Sequence, residues 1–302
     1  MTCSPVVLFV YNRIDHTHRT VIALSSNVLA NKTDLIIFSD AARSLDKQAS
    51  VDEVRAYLKA ITGFRSVTIH HRQHNFGLAK SIITGVTQVF AVHERIIVLE
   101  DDMVTSPYFL TYMNDALEKY ADDDRVVSIH GYVYPVKQSL PEAFFLSGAD
   151  CWGWATWSRG WACFNSDGQF LLNELKRRKL ISAFDYNGAY SFSTMLEDQI
   201  RGKNDSWAVR WHASTFLADK LTLYPGRSLV HNIGCDSSGS HCGTTGIYDA
   251  VLSAVSIDLS QVEMSHSIIA YQAFEDFFRQ VQSGFLKRTH RFLIEIFRKV
   301  TA

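Results

Sequence analysis

Apolar and polar positions follow two alternating rhythms over the first 130 residues. Val6–Val10 after Pro5, and Ile96–Leu99 further on, are unbroken apolar runs rich in β-branched residues. Runs this short predict strands buried on both faces. Asp34–Asp40 and residues 67–70 and 125–130 predict three more strands. Between them, apolar residues recur at helical spacing: Val21, Leu24, Val28 and Leu29; Val51, Val54, Leu58 and Ile61; Leu78, Ile82, Ile83, Val86, Val89 and Phe90. Asp15 is expected to cap the first helix, and Asn75-Phe76-Gly77 to turn into the third. Ser106-Pro107 is expected to open a fourth helix that ends near Tyr120, with proline in the first helical turn. Strand and helix alternating through short connections predict an α/β fold with a mostly parallel sheet.

Beyond Pro135 the rhythm loosens. Trp152, Trp154, Trp157 and Trp161 crowd one stretch, and the last three have i, i+3, i+7 spacing. That spacing predicts a helical face of tryptophan, either core packing or a platform for a sugar ring. Glu197-Asp198 reads as a carboxylate pair at an otherwise apolar helix start. It is either a first-turn dipole interaction or the source of a general base. Leu221–Tyr224 with Pro225-Gly226 reads as a strand and turn, and Leu229–Asn232 as another strand end. Residues 235–243 are rich in glycine and serine, as a solvated linker or as a lid over a diphosphate. From Ser267 onward, phenylalanines (Phe274, Phe277 and Phe278 among them) alternate with Arg279, Lys287, Arg288, Arg291, Arg298 and Lys299. This amphipathic pattern suits an anionic membrane surface, a partner chain or a docked C-terminal helix.

Composition narrows the classes. With 302 residues, 47% hydrophobic and 20% charged, the chain can bury a sizeable core. A net charge of −1 argues against nucleic acid as a partner. Five cysteines without CxxC spacing point to reduced thiols, hence a cytoplasmic protein. No secretory signal is visible and no apolar run has spanning length. GxGxxG after the first strand and GxxxxGK[ST] are both missing, so a bound nucleotide needs another cradle.

The candidate chemistry begins where the central strand leaves the sheet, at Glu100-Asp101-Asp102. Three adjacent acids repel unless solvated or compensated by a cation. Oxygen-only ligands suit Mg²⁺ or Mn²⁺ shared with a diphosphate. The run Val98–Asp102 followed by Ser106-Pro107-Tyr108-Phe109 resembles the strand, acidic triplet (a DXD-type motif) and aromatic-bearing helix of the GT-A glycosyltransferases. More narrowly, it is similar to bacterial family 2-type enzymes and N-acetylglucosaminyltransferase I. Val7–Arg13, Phe38-Ser39-Asp40, Asp150–Trp154, Glu197-Asp198 and Gly239–Gly243 support the same resemblance, which spans most of residues 5–245.

The resemblance implies a GT-A (Rossmann-like) sheet with a nucleotide-sugar half over 1–130. An acceptor and catalytic half would cover 131–264; the resemblance leaves the tail uncovered, and its amphipathic pattern predicts a helical segment over 265–302. It implies a metal-dependent, inverting hexosyl- or N-acetylhexosaminyltransferase using a nucleotide-sugar donor, UDP-sugars first. The acceptor would be a glycan or lipid-linked glycan of surface polysaccharide or lipopolysaccharide synthesis. The enzyme would work in the cytoplasm, peripheral on the inner membrane face through its tail. Asp102 would bind Mn²⁺ or Mg²⁺, with His241 nearby. Asp101 and Glu100 would reach the ribose and donor sugar, Asp40 the base, and Asn12, Arg13 and Lys80 the nucleotide and phosphates. Asp198, or Glu197, would deprotonate the acceptor, and Trp152 and Trp154 would stack on sugar. The rivals are a non-catalytic carbohydrate-binding protein and a sugar-phosphate nucleotidyltransferase. The latter expects a glycine-rich loop where this chain has Tyr11-Asn12-Arg13.

Overall fold

The computed structural model describes residues 3–236 and 245–283. The chain runs β1 (Val6–Val10), α1 (Ile14–Ser25), β2 (Asp34–Ser39), α2 (Gln48–Leu58), β3 (Ser66–His71), α3 (Leu78–Phe90) and β4 (Arg95–Glu100). There follow β5 (Met103–Thr105), α4 (Phe109–Lys119), β6 (Val126–His130), β7 (Ala143–Ser147), β8 (Trp154–Trp157) and the short α5 (Ser158–Trp161). Next come α6 (Gly168–Arg177), α7 (Ile181–Phe184), α8 (Phe192–Ile200), α9 (Trp207–Leu217), β9 (Leu221–Pro225) and β10 (Val230–Asn232). A last helix, α10, covers 268–283.

Eight strands form one sheet in the order β3-β2-β1-β4-β8-β6-β9-β7, and β10 pairs with β5 in a separate ribbon. β3, β2, β1 and β4 are mutually parallel; β6 and β9 run with them, while β8 and β7 run against. The fold is α/β with a mostly parallel sheet flanked by helices, as the alternation predicts. Val6, Leu8 and Val10 pack towards α1, α2 and α4, whereas Val7 and Phe9 pack towards α3 and α9. Covering on both sides explains why β1 and β4 lack polar alternation. The chain winds outward from β1 to β3, then returns to lay β4 on the other side of β1. Such a reversal opens a crevice beyond the carboxyl ends of the two strands.

Several local expectations change. Asp15 lies in the first turn of α1 and Arg13 holds the cap position. Ser106 and Pro107 form a turn ahead of α4, whose cap position is Tyr108. Trp154 and Trp157 lie on a strand, where residues three apart face opposite ways. Trp157 packs beside α4 and donates from Nε1 to Leu117 O at 3.2 Å. Trp154 turns to the other layer, its ring 5.5–5.9 Å from those of Trp161, Trp207 and Trp211. Pairing with β4 and β6 overrides the helical spacing. Glu197 and Asp198 occupy the last turn of α8, not its start. Finally, Phe274, Phe277 and Phe278 on α10 are buried against Phe144, Tyr186 and Tyr224. These rings cover the chain's own sheet and are not free for a membrane. Residues 284–302 lie outside the described residues.

Among the described residues, no helix is long and apolar enough to cross a membrane, and Cys3, Cys151 and Cys163 are free thiols.

Candidate active site

The crevice receives Tyr11-Asn12-Arg13 from β1 and Glu100-Asp101-Asp102 from β4. The Arg13 guanidinium donates from Nη2 to Asp101 Oδ1 and, at 2.8 Å, to Asp102 Oδ2. Thr20 on α1 donates to Asp101 O at 2.8 Å and fixes the turn from below. The β5–β10 ribbon then brings a distant segment alongside: Ile233 N–H donates to Asp102 O at 2.9 Å. Gly234 follows, so close that a Cβ there would lie 2.1 Å from Asp102 Oδ2. Only a glycine lets this backbone lie against the carboxylate. At the rim, His16 Nε2 stands 3.1 Å from Asp236 Oδ2.

The electrostatics leave this cluster one cation short. Burial, together with Asp102 and Asp101, pushes Glu100 up to about 8. Burial outweighs the pull of Arg13 and pushes Asp101 up to about 6. Burial also works against the charge on Arg13, but the attraction of Asp101 and Asp102 overrides it and raises its pKa. Asp102 is 9% exposed, and its Oδ1 is buried without a hydrogen-bond partner among the described residues. An unpaired buried carboxylate oxygen is costly, and a hard divalent cation is the partner it fits. Mg²⁺-type sites typically use one or two carboxylates, with phosphate and water oxygens completing the shell. Among the described residues no three His, Cys, Asp or Glu side chains converge into a cage. The chain's part in such a site is therefore Asp102 with its neighbours. His241 lies outside the described residues, as does the 237–244 part of the expected lid.

Asp40 takes a different role from the one expected. Its Oδ1 accepts from Ala41 N and Phe76 N, both at 2.9 Å. Its Oδ2 accepts from Gly77 N at 3.0 Å and Asn75 Nδ2 at 3.1 Å. A carboxylate so filled has no lone pair left for a base N–H; it ties the 75–77 turn to the end of β2. Lys80 is also diverted, its Nζ lying 4.6 Å from the Phe76 ring centroid, with Arg72 at 4.7 Å from the same ring. Asn12 stands half-buried at the mouth of β1.

On the other side of β4, residues 148–153 form a loop that leads into β8. Three buried groups pin it. Thr222 donates to Gly148 O at 2.6 Å, His212 Nδ1 meets Ala149 O at 3.0 Å, and Trp152 N–H donates to His130 Nε2 at 3.1 Å. Gly148 packs so tightly on His212 that a Cβ would lie 2.5 Å from the ring. The loop presents Asp150 and Trp152 beside Tyr132, Tyr134 and Tyr248. The Trp152 ring is 4.7 Å from Tyr132 and 5.7 Å from Tyr248. Trp152 is half-buried at the edge of this cluster of rings, but Trp154 is 1% exposed and cannot receive a sugar. Periodicity did not reveal Tyr132, Tyr134, Tyr248, His130 or His212. The aromatic spacing after His130 was the available signal, and nothing local linked it to residue 248.

Glu197 and Asp198 join a surface ion network instead. Glu197 pairs with Lys176 at 3.1 Å and Arg201 at 3.6 Å, and Asp198 with Lys203 at 3.1 Å. Their α8 packs on α6, α7 and α9. No hydrogen bond or ion pair joins them to the acidic triplet among the described residues.

No protein-family model matches the chain, and no curated protein matches its sequence. Among solved structures it is similar to a mannosyltransferase from Pyrobaculum calidifontis in complex with GDP-Man and Mn²⁺. The identity is 13%, over 72% of this chain and 70% of that one, with a TM-score of 0.39. It is also similar to a UDP-glucose pyrophosphorylase complexed with UDP-glucose, at 11% identity over 74% of this chain and 90% of that one, with a TM-score of 0.37. Likenesses this distant assign no activity, so the reading of the site rests on its own residues.

Proposed function

We propose that the chain is a metal-dependent glycosyltransferase, moving a sugar from a nucleoside-diphosphate donor to a hydroxyl of a glycan or lipid-linked glycan. The observation that carries this reading is the buried, unpartnered Asp102 Oδ1 among three acids at the reversal point of the sheet. Asp102 would hold Mn²⁺ or Mg²⁺ through that oxygen, and the ion would supply positive charge to a departing diphosphate. Arg13 holds Asp101 and Asp102 in place and offers the crevice a guanidinium suited to phosphate. Glu100, the first acid of the triplet, would reach the donor sugar. The half-buried Tyr134 and Trp152 on the far side of β4 suit the C–H face of an acceptor sugar.

Calorimetric titration of the wild type and Asp102→Ala with UDP, with and without Mn²⁺, tests the reading. Binding that needs both the ion and Asp102 is expected, followed by release of the diphosphate from UDP-sugars. Binding indifferent to Mn²⁺ would remove the triplet from its role. Repeating with GDP, CDP and dTDP settles the base. Pyrophosphate-dependent formation of UTP in place of transfer would make the protein a nucleotidyltransferase.

A further inference from the structure

The aromatic cluster beside β4 holds a carboxylate whose setting is unlike that of any other acid in the described residues that borders the crevice. Asp150 accepts from Cys151 N–H at 2.8 Å and, over a long 3.3 Å, from the Tyr134 hydroxyl. Both donors are neutral, and no lysine or arginine pairs with it among the described residues. Asp40 is saturated by amide donors, and Asp101 and Asp102 share Arg13. Glu197 and Asp198 are neutralised by surface cations. Asp150 is half-buried, not sealed in the core. A fold that surrounds a carboxylate with aromatic rings and withholds a counter-charge keeps its acceptor capacity available.

The loop is also rigid where rigidity serves chemistry. His130, His212 and Thr222, from three different elements, pin the residues on either side of Asp150. Catalytic groups need this kind of support to hold position to within a fraction of an ångström. The loop lies at the same sheet edge as the triplet: β8 begins opposite Val98, two residues before Glu100. The Cys151 thiol, next to Asp150 in this loop, also feels the charges of Glu100 and Asp102.

The neighbouring titratable groups are poor alternatives. Burial, then Asp150, holds the Tyr134 hydroxyl far above its ordinary value. Burial with the surrounding acids does the same to Cys151. His130 is fully buried and already accepts the Trp152 amide, while His212 is buried beneath the loop.

We infer that Asp150, on the pinned loop beside the Tyr132–Tyr134–Trp152–Tyr248 ring cluster and at the same sheet edge as the acidic triplet, is the general base for the acceptor hydroxyl. This rests on the transferase reading and replaces Glu197 and Asp198 in that role. The Asp150 carboxylate takes the hydroxyl proton while an electron pair of that oxygen forms the bond to the donor's anomeric carbon. The bond from that carbon to the diphosphate oxygen breaks, and its electron pair leaves with the nucleoside diphosphate. The proton then passes from Asp150 to water.

The test uses the full chain with Mn²⁺ and UDP-glucose, UDP-N-acetylglucosamine and GDP-mannose as probes, with water as the minimal acceptor. Asp150→Asn keeps an oxygen for the Cys151 amide and the shape of the loop. It is expected to bind UDP with Mn²⁺ within about twofold of wild type, while kcat for diphosphate release falls about 100-fold or more. Asp150→Glu is expected to recover part of that loss, which a merely structural role would not produce. Turnover that survives Asp150→Asn, UDP binding that fails with it, or an equal collapse in Asp198→Asn would overturn the assignment. No release by the wild type from any of the three donors would overturn the transferase reading itself, and this assignment with it.

Discussion

Replacing Asp40 with asparagine separates two incompatible roles for one carboxylate. As a ligand for a nucleobase, Asp40 would be dispensable for folding. As the tie between β2 and the 75–77 turn, it is part of the architecture. The carboxylate is 5% exposed and receives four donors, Ala41 N and Phe76 N on one oxygen, Gly77 N and Asn75 Nδ2 on the other. An amide side chain has one oxygen and one NH₂. Phe76 N also reaches Oδ2 at 3.1 Å, so the best placement, with the NH₂ on the Oδ1 side, leaves Ala41 N unsatisfied. A hydrogen bond to a charged group is worth about 1.5–3 kcal/mol, which sets the loss. At about 2–4 °C per kcal/mol for a large domain, the melting temperature should fall by roughly 3–12 °C. Thermal unfolding followed by both far-UV circular dichroism and tryptophan fluorescence measures this, and coincident curves license a two-state reading. UDP titration at a temperature where the variant is still folded supplies the second readout. A melting temperature within about 2 °C of wild type, combined with lost UDP affinity, would refute the argument and return Asp40 to the nucleobase.

Two further predictions follow from close approach and from burial. Gly234→Ala places a Cβ 2.1 Å from Asp102 Oδ2 and 2.8 Å from its Cγ, so the carboxylate must swing away from Arg13. Forfeiting one charged hydrogen bond of about 1.5–3 kcal/mol should weaken Mn²⁺-dependent UDP binding about 10- to 100-fold; unchanged affinity would show that Asp102 is not held as described. Burial lowers the pKa of His130, His212 and His266, so between those values and about 6.5 the unfolded chain binds protons that the native state does not. Their contribution is fully present above pH ~6.5 and is lost as pH falls, by up to about 1.4 kcal/mol per pH unit for each group. Urea midpoints at pH 7.5, 6.5 and 5.5 should decline on this acid side, and His212→Gln should flatten the decline. An identical slope in the variant would exclude His212 as a contributor.

Much of the first half was legible in the chain because its elements are local. β1, β2, β3, β4 and β6 are marked by short apolar runs, and α1–α3 by helical periodicity. The acidic triplet was legible as well, since charge cannot remain inside a doubly covered strand. Glu100–Asp102 therefore had to lie where β4 leaves the sheet. The sequence alone thus determined an α/β alternation and the position of three acids at a strand end.

What those acids meet was decided by tertiary structure. Arg13 reaches Asp101 and Asp102 because β1 and β4 became neighbours when the chain reversed. Gly234 meets Asp102 through β10 pairing with β5, across more than a hundred residues of intervening chain. Asp40 looked like a ligand because its partners, Asn75–Gly77, come from another strand–helix connection. The tryptophans misled for the same reason: i, i+3, i+7 spacing describes a helix only where no strand claims the residues. Glu197 and Asp198 carry the right chemical groups, yet nearby lysines and an arginine engage them. Asp150 is distinguished only by what surrounds it. Residue type and local period set which groups are available; strand order and long-range packing set which of them are left unpaired and open to a ligand.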